Sequence, residues 1–567
     1  MQREQESHFS TLPRLERVQR STFNREFKNG TTINTGELVP FMWTEVLPGD
    51  TAGAITASAI QMATPIFPVM DNAFADFYFF FVPNRIIWKH WKEFCGENNT
   101  TYWTQPTTYT VPMVKAPTNG WKEMTLADYL GIPTKKPANG TADEVSALPF
   151  RAYCKIYNEW FRDQNVQQPL NCPDDDATIT GSNGTNQITD CIKGGYPAKV
   201  NKFHDYFTSC LPGAQKGKDV DLPIGSLSGK FPVLAEESHK LGIEGTQALN
   251  WSFKNTTSGK WTDWENGSDG WVVGVKGSAE GGVTWRGVEN QGGSPNLAYQ
   301  QITPNNLWAL VDSANSSATT INQLREAIAV QHFLEDMALG GSRYREVIRS
   351  CFGVIPSDKT MQIPQYLGGK RVNINMQRVL QTSETGEKSP QGNAAGQSYT
   401  TSRDDMFNMS FEEHGILMGL VCVRTDHTYQ QGLNRAWKRK NLTDFYWPEL
   451  ANIGEQPVMK SEIYWTGQPE DESVFGYQEA WADYRYGTTI VTGKMRANAD
   501  GTLSAWNYAD NYATAPTLSA GWLAETRENV KRTLAVQNEP DFICDFFTVV
   551  KTTRVMPIYS VPGLNRI

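Results

Sequence analysis

Three segments near the start of the chain have the apolar pattern of β-strands. Leu38–Leu47 runs into the turn Pro48-Gly49-Asp50, Gly53–Met62 follows, and Phe74–Val82 ends at Pro83-Asn84. Runs rich in β-branched and aromatic residues, bounded by Pro, Gly and Asn, predict strands. The third run is apolar on both faces. Because strand side chains alternate sides, both of its faces must be covered by other parts of the protein.

Strand patterns return late in the chain, at Glu413–Val423, Ser473–Tyr477 and Phe542–Ile558. Because strands occur towards both ends, with several hundred residues of irregular sequence between them, we predict one β-sandwich with large insertions rather than a row of domains. The predicted division is an N-terminal arm over 1–35, a first set of strands over 36–105, insertions over 106–406, and further strands with a C-terminal tail over 407–567.

Helical patterns are sparse. Ile86–Phe94 and Phe150–Arg162 predict short helices with aromatic faces, and Ile321–Leu339 predicts the longest helix. A capping box at Thr320 begins this helix, and Gly340-Gly341 ends it. Its apolar residues cover a broad face, so we expect it to pack against a large surface.

The first 35 residues are polar and lack apolar periodicity, which predicts an extended arm rather than a folded element. The basic residues of this arm are Arg14, Arg17, Arg20, Arg25 and Lys28. The whole chain has 52 Lys and Arg against 61 Asp and Glu, a net charge of -9, and therefore repels phosphate on average. The arm is thus the local source of positive charge for contact with DNA. The alternative is a structural tether that runs under a neighbouring subunit.

The segment from Leu227 to Pro304 is rich in Gly, Asn, Ser and Thr, and Gly270–Gly277 alternates like short strands joined by glycine turns. A connection this long is either a subdomain or disordered, and its spaced tryptophans favour a subdomain. These tryptophans are Trp251, Trp261, Trp264, Trp271 and Trp285. They either form the small core of the insertion or offer a stacking surface to a sugar or a partner.

The sequence contains no HExxH, Walker-type glycine loop or GxSxG motif, and it suggests no catalytic, cofactor or metal residue. Its eight cysteines are dispersed without zinc spacing, which predicts buried free thiols. His414 and His427 flank an apolar stretch and are interpreted as structural. No apolar run approaches the ~20 residues that cross a bilayer, and no signal peptide begins the chain, so we expect a soluble product that is intracellular where it is made.

Many blocks of sequence share a family pattern. They include Glu45–Thr51, Ala63–Asn72, Phe79–Arg85, Phe207–Pro212, Gly340–Tyr344, Tyr366–Gly369, Thr428–Leu433, Asp444–Pro448, Phe475–Glu479 and Arg554–Pro557. In these blocks the chain resembles the major capsid protein of the microviruses, which are small icosahedral phages with circular single-stranded DNA. The resemblance is to their gokushovirus branch in particular.

The resemblance implies an eight-stranded viral jelly roll with long inserted loops and a structural, non-enzymatic role. It implies that the chain assembles with itself, with pentamers as intermediates, into a small T=1 shell around single-stranded DNA. The implied partners are a small basic DNA-packaging protein, a pilot protein and a bacterial surface receptor. The implied location is the virion, after assembly in the bacterial cytoplasm. Residues 227–304 match no block; they correspond to the family's variable protrusion, which we expect to contribute to host attachment.

A second hypothesis is a carbohydrate-active enzyme or lectin, because jelly rolls with aromatic loops also occur in these proteins. Such a protein would need a carboxylate pair at working separation or a calcium site. The acidic cluster of note is Asp174-Asp175-Asp176, which lacks calcium-loop spacing. We interpret it as a solvated turn.

Overall fold

Eight long strands form two four-stranded antiparallel sheets in the computed structural model of this chain. In chain order they are β1 (Arg20–Ile33), β2 (Val39–Val46), β3 (Thr51–Met62), β4 (Ala73–Pro83), β5 (Gln365–Asn373), β6 (Thr400–Ser410), β7 (Gly415–Thr425) and β8 (Phe542–Val555). One sheet has the order β1-β8-β3-β6, and the other has the order β5-β4-β7-β2. Successive strands mostly alternate between the sheets, as in a double-sheet jelly roll.

The structure describes residues 20–97, 101, 103–104, 107–134, 144–217, 220, seven short strands between 251 and 304, 321–341, 343–380, 382, 391–392 and 394–559. The chain divides into two compact units. One unit combines Met1–Asp219 with Gln331–Ile567, and the other is Val220–Val330. Both long sheets belong to the first unit.

The inner faces of the two sheets pack through a cluster of aromatic side chains. Phe41 of β2 meets Phe77 and Phe79 of β4 edge-to-face, with ring centroids 5.8 and 5.6 Å apart. Phe546 of β8, in the opposite sheet, lies 5.2 Å from Phe41 and 5.7 Å from Phe77. All four rings are buried. Contacts of this kind add to the stabilisation that comes from burying the ring surface.

The outer face of β4 is covered by a second cluster, as its two-sided apolar pattern predicts. Phe80 and Val82 point into this cluster, together with Trp88, Phe150 and Tyr153. The helices of this layer are Asn84–Ile86, Trp91–Phe94, Leu126–Tyr129, Leu148–Ile156, the π-helical turn Tyr157–Phe161, Gln187–Asp190 and Cys191–Lys193. A small sheet of Met113–Lys115, Glu144–Ser146 and Ile179–Thr180 completes it. The helices predicted at 86–94 and 150–162 are therefore present, each in two pieces.

A third cluster joins the connection between β7 and β8 to residues 206–210 of the connection between β4 and β5. It contains Tyr206, Phe207, Tyr429, Val458 and Phe475, all of them buried. The strands here are Gln456–Met459 and Val474–Gln478, and the α-helices are Lys460–Ile463, Ala482–Arg485, Ala520–Leu523 and Glu528–Lys531. The 3-10 turns are Arg435–Lys438, Leu442–Asp444, Pro448–Leu450, Pro469–Glu472, Gly493–Met495 and Ser504–Trp506.

Apart from Val220 and the first half of a long helix, the described parts of Val220–Val330 are short antiparallel strands. They are Trp251–Lys254, Trp261–Asp263, Trp271–Val272, Val275–Gly277, Val283–Trp285, Glu289–Asn290 and Gln301–Pro304. Gly270–Gly277 accordingly contains two short strands, as its alternation predicts. The long helix is Ile321–Gly340, which confirms the prediction. It is followed by two more helices, Tyr344–Phe352 and Asp358–Met361, and by the hairpin of Met376–Leu380 with Ala394–Ser398. Phe333 and Leu339 are exposed on the long helix. Within the described part of the chain, these two side chains therefore do not pack against the large surface that we expected.

Two predicted boundaries are wrong. Arg20–Ile33 is not part of an extended arm but a strand that pairs with β8 along its whole length, from Arg20 opposite Val555 to Ile33 opposite Phe542. Residues 1–19 lie outside the described residues. β5 and most of β6 belong to the sandwich, although the sequence assigned residues 106–406 to insertions. The prediction of a mainly β sandwich is itself confirmed.

The packing between the sheets predicts a large difference between two neighbouring residues of β8. Phe546 is 1 % exposed between the sheets, and Phe547 is 38 % exposed on the other face. Phe546→Ala should lower the free energy of unfolding by about 3–5 kcal/mol, because it leaves a cavity in the core. Phe547→Ala, the matched control, should change it by about 0.5 kcal/mol or less. Urea denaturation of the isolated chain measures both values, and equal losses would contradict this description of the core.

Candidate functional site

Arg25, one of the predicted DNA contacts, points between the two sheets. It donates from Nη1 to Thr44 Oγ1 at 2.8 Å and from Nη2 to Thr552 Oγ1 at 3.2 Å. Burial, and then the nearby Arg554, lower the pKa of its guanidinium. The side chain therefore ties β1 to strands of both sheets.

Two of the other predicted basic residues make contacts at the protein surface, and two lie outside the described residues. Arg20 donates to the carbonyl of Gly49. Lys28 lies 3.7 Å from Asp545, and both of these side chains are more than half exposed. Arg14 and Arg17 lie outside the described residues.

The backbone shows where the predicted tryptophans of the insertion lie. Trp251, Trp261 and Trp271 each begin a short strand, and Trp285 ends one. Trp264 lies outside the described residues. This arrangement supports a small β-subdomain, and it leaves open whether the rings form a core or a binding surface.

The acidic triplet Asp174-Asp175-Asp176 is not a plain solvated turn. Asp176 accepts from Trp88 Nε1 at 2.6 Å and lies 2.8 Å from His90 Nδ1. The hydrogen bond from His90 contributes most to lowering the pKa of Asp176. Arg151, which is buried in the helical layer, lies 3.5 Å from Asp175. The triplet therefore anchors that layer, which corrects the interpretation from sequence.

His427 is buried and held between two carboxylates, which confirms that it is structural. Its Nδ1 lies 2.9 Å from Asp510 Oδ1, and its Nε2 lies 2.9 Å from Glu525 Oε2. Lys202 Nζ lies 3.2 Å from the second oxygen of Asp510 and 4.7 Å from the centre of the Trp522 ring. Burial alone would lower the pKa of His427, but the two carboxylates outweigh it and raise the pKa to about 10. The cluster then holds two cations and two anions, which balances its charge in a buried place.

This cluster makes stability depend on pH in a defined direction. Because the pKa of His427 is higher in the folded chain than the ordinary value of 6.5, the protonated ring stabilises the fold fully below about pH 6.5. That contribution is lost as the pH rises through about 10. His427→Gln should lower the free energy of unfolding at pH 6 by about 3–5 kcal/mol, and the gap from the native chain should narrow towards pH 10.

Urea denaturation of the isolated chain at pH 6, 8 and 10 provides the measurement. His204→Gln, at an exposed histidine, serves as the control and should leave the urea midpoint unchanged. A gap for His427→Gln that stays constant or widens with pH would contradict the assigned protonation state.

A cationic aromatic pocket of about 430 Å³ opens on the outer side of the β5-β4-β7 sheet. Arg371 donates to Asp76 from Nε at 2.7 Å and from Nη2 at 3.1 Å, and Arg424 also donates to Asp76. Both guanidinium groups lie over the Phe203 ring, at 4.4 and 4.1 Å. Tyr366 is one of several further aromatic side chains in the lining. The two cations share one carboxylate, so the pocket has the chemistry to accept an anionic or aromatic group.

A basic and aromatic surface that sequence reasoning missed lies in the connection between β7 and β8. The sequence Arg435-Ala436-Trp437-Lys438-Arg439-Lys440 is followed by Leu442 and by Phe445-Tyr446-Trp447. Its large apolar residues, with Tyr484 beside them, are all exposed: Trp437, Leu442, Phe445, Tyr446, Trp447 and Tyr484. We call this set the aromatic loop surface. Its signal in the sequence is four cations within six residues, interleaved with aromatic residues.

Neither the thiols nor the possible metal ligands form a site in the described part of the chain. All eight cysteines are free; Cys95 and Cys351 are exposed, which corrects the expectation that the thiols are buried. The described residues contain no group of three or more His, Cys, Asp or Glu side chains that could hold a metal ion. Nor does any helix among them have the length and apolar character needed to cross a membrane.

A mainly β sandwich of two four-stranded sheets with large insertions is a jelly-roll architecture, which viral capsid proteins share with lectins and cupins. The model of the family described as capsid protein (F protein) matches residues 12–564, so the chain belongs to this family. Members of the family are structural proteins, and the chain is not an enzyme, which sets aside the second hypothesis from sequence.

Three relatives are similar over nearly their whole length. Capsid protein VP1 of Chlamydia phage 1 is 39 % identical, over 99 % of this chain and 98 % of the relative. Capsid protein VP1 of Spiroplasma virus 4 is 39 % identical, over 97 % and 96 %. Capsid protein VP1 of Bdellovibrio phage phiMH2K is 35 % identical, over 99 % and 98 %. These phages are gokushoviruses, and the resemblance to that branch is confirmed.

Proposed function

We propose that this chain assembles with itself, through pentamers, into a T=1 icosahedral shell that encloses circular single-stranded DNA. The family match over residues 12–564 carries the proposal, because it includes both sheets and their connections. The exposed apolar residues of the loops support it, since subunits that bury surface against neighbours keep such residues on their outside. Assembly in the bacterial cytoplasm and residence in the virion follow from the same proposal.

The genome, on this proposal, is held mainly by a separate small basic protein. The chain has a net charge of -9, and affinity for DNA requires clustered cations that release counterions. Arg25 is engaged between the sheets, and Lys28 faces Asp545. Arg20 donates to the Gly49 carbonyl, so Arg14 and Arg17 are the remaining cations of the predicted arm for direct contact with DNA. A pilot protein completes the proposed partners.

Assembly can be tested with the expressed chain alone and together with its phage partners. The chain should sediment as pentamers or closed shells, and negative-stain images should show them. Particles from infected cells should contain single-stranded DNA and a second, basic polypeptide. A chain that remains monomeric at all concentrations would overturn self-assembly. DNA-filled particles without a basic polypeptide would overturn the proposed mode of DNA retention.

The insertion 227–304 is proposed to contribute to attachment to a bacterial surface receptor. The unit Val220–Val330 is compact by itself, and Trp251 pairs with Pro304. The two ends of the stretch 251–304 therefore lie side by side. Its glycines and polar residues suit an appendage better than a core, and its tryptophans provide rigid contact area at low entropic cost.

Replacement of residues 227–304 by a short Gly/Ser linker should leave folding and shell assembly intact and abolish adsorption to the host. Particle yield and adsorption rate are the two measurements. A full-length control with the five tryptophans of the insertion changed to Ala separates loss of the aromatic surface from loss of the whole segment. A chain that fails to fold, or a virion that keeps full adsorption, would contradict the proposed role.

A further inference from the structure

The aromatic loop surface presents large apolar side chains from a well-anchored loop. Trp437 is 81 % exposed and Leu442 is 71 % exposed. An isolated exposed apolar residue is ordinary, but six of them on one connection, among them Tyr446 and Tyr484 with ring centroids 6.1 Å apart, are the kind of exposed apolar surface that marks an interaction site. Leu442 is aliphatic and offers no stacking face to a nucleic-acid base.

Several bonds hold this loop in one conformation. Asp444 accepts from the backbone N–H groups of Lys440 and Asn441, both at 2.8 Å. Trp447 Nε1 donates to the Leu442 carbonyl at 2.9 Å. Trp481 Nε1 donates to the carbonyl of Leu450 at 2.7 Å. A preorganised loop loses little conformational entropy when it binds a partner.

Ring contacts and an ion pair fix the aromatic side chains themselves. Tyr446 lies edge-to-face with Trp481, with ring centroids 5.7 Å apart. Arg439 pairs with Asp483 and lies 4.2 Å from the centre of the Tyr484 ring. Trp, Tyr and Arg are the residue types that dominate binding energy in protein–protein interfaces.

The charges around this surface do not favour DNA as its ligand. A cleft of about 460 Å³ beside it is lined by both cations and carboxylates. The cations of the surface and its cleft are Arg435, Lys438, Arg439, Lys440 and Arg485, and the carboxylates are Asp444, Glu449, Glu462, Glu472, Glu479 and Asp483. Five formal positive charges against six formal negative charges leave no surplus for the counterion release that drives binding to a polyanion. A mixed pattern of charges around an apolar centre is instead typical of contacts between proteins.

We propose that the aromatic loop surface binds a second copy of this chain and provides a central contact between subunits of the shell. The proposal rests on the proposed self-assembly. A capsid subunit meets copies of itself over much of its surface, so a second copy is the protein partner always present at high concentration.

Two substitutions at the most exposed residues test this contact. Trp437→Ala and Leu442→Ser should each raise the concentration needed for assembly by at least about 30-fold, which is typical of a hot-spot truncation. Trp437→Phe retains much of the apolar area and should assemble with a much smaller loss. Lys440→Ala, at an exposed charge on the rim, should change assembly little. Analytical sedimentation across a concentration series gives these values.

Thermal unfolding of the unassembled variants provides the folding control. Its midpoint should equal that of the native chain, since the substituted side chains are mostly exposed. If the native chain itself does not assemble, the proposed function fails. If the native chain and the double variant Trp437→Ala/Leu442→Ser assemble equally well, the proposal for this surface is overturned. It is equally overturned if variant shells form normally but lose a second polypeptide or bind an oligo-dT probe less tightly.

Discussion

The central strand β4 imposes a layered design on the rest of the subunit. Its side chains Phe77 and Phe79 point to one face and Phe80 and Val82 to the other, and all four are buried. A strand of this kind cannot lie on the surface of a two-layer sandwich, because one face would expose several large apolar groups to water. The opposite sheet covers the first face, and the helical layer around Phe150 covers the second. The long connection between β4 and β5 is therefore partly structural, since it supplies that outer layer.

The Arg and Lys side chains that are buried in the described part of the chain, Arg151 and Lys202, each have a matching carboxylate, whereas the half-buried Arg25 is bonded to two threonines. Arg151 meets Asp175 at the edge of the helical layer, and Lys202 meets Asp510 beneath the connection between β7 and β8. Ion pairs of this kind add little net stability over well-packed apolar groups, but loss of one partner is costly. They accordingly act mainly to fix which loops meet. His427 joins the end of β7 to two distant parts of the last connection through Asp510 and Glu525.

The strands of the sandwich that the sequence analysis missed all lie at the edges of their sheets. β1, β5 and β6 are all edge strands, and the strands found in the interior of the sheets, β3, β4, β7 and β8, were all predicted. Edge strands have one open side and carry fewer apolar residues, which also limits unwanted pairing with other chains. On β1 the inward positions Ser21, Arg25 and Asn29 are polar and alternate with the inward Phe23 and Phe27, so the apolar pattern of period two is interrupted. On β5 the backbone lies so close to β4 that a Cβ at Gly369 would be 2.1 Å from the Phe77 carbonyl oxygen. A glycine is therefore required there, and it contributes no apolar side chain to a strand pattern.

The candidate site was less predictable for a related reason. The cluster around His427 joins residues separated by up to 308 positions, and no local pattern indicates that Lys202 and Asp510 meet. The aromatic loop surface did have a local signal, but a basic segment with aromatic residues is equally typical of a DNA-binding loop and of a protein interface. The decision between them depends on Asp483 and Glu472, carboxylates that only the fold brings beside the cations. In this subunit of net charge -9, acidic side chains lie beside the exposed cations. The exposed apolar side chains therefore say more than the cations about which kind of partner binds here.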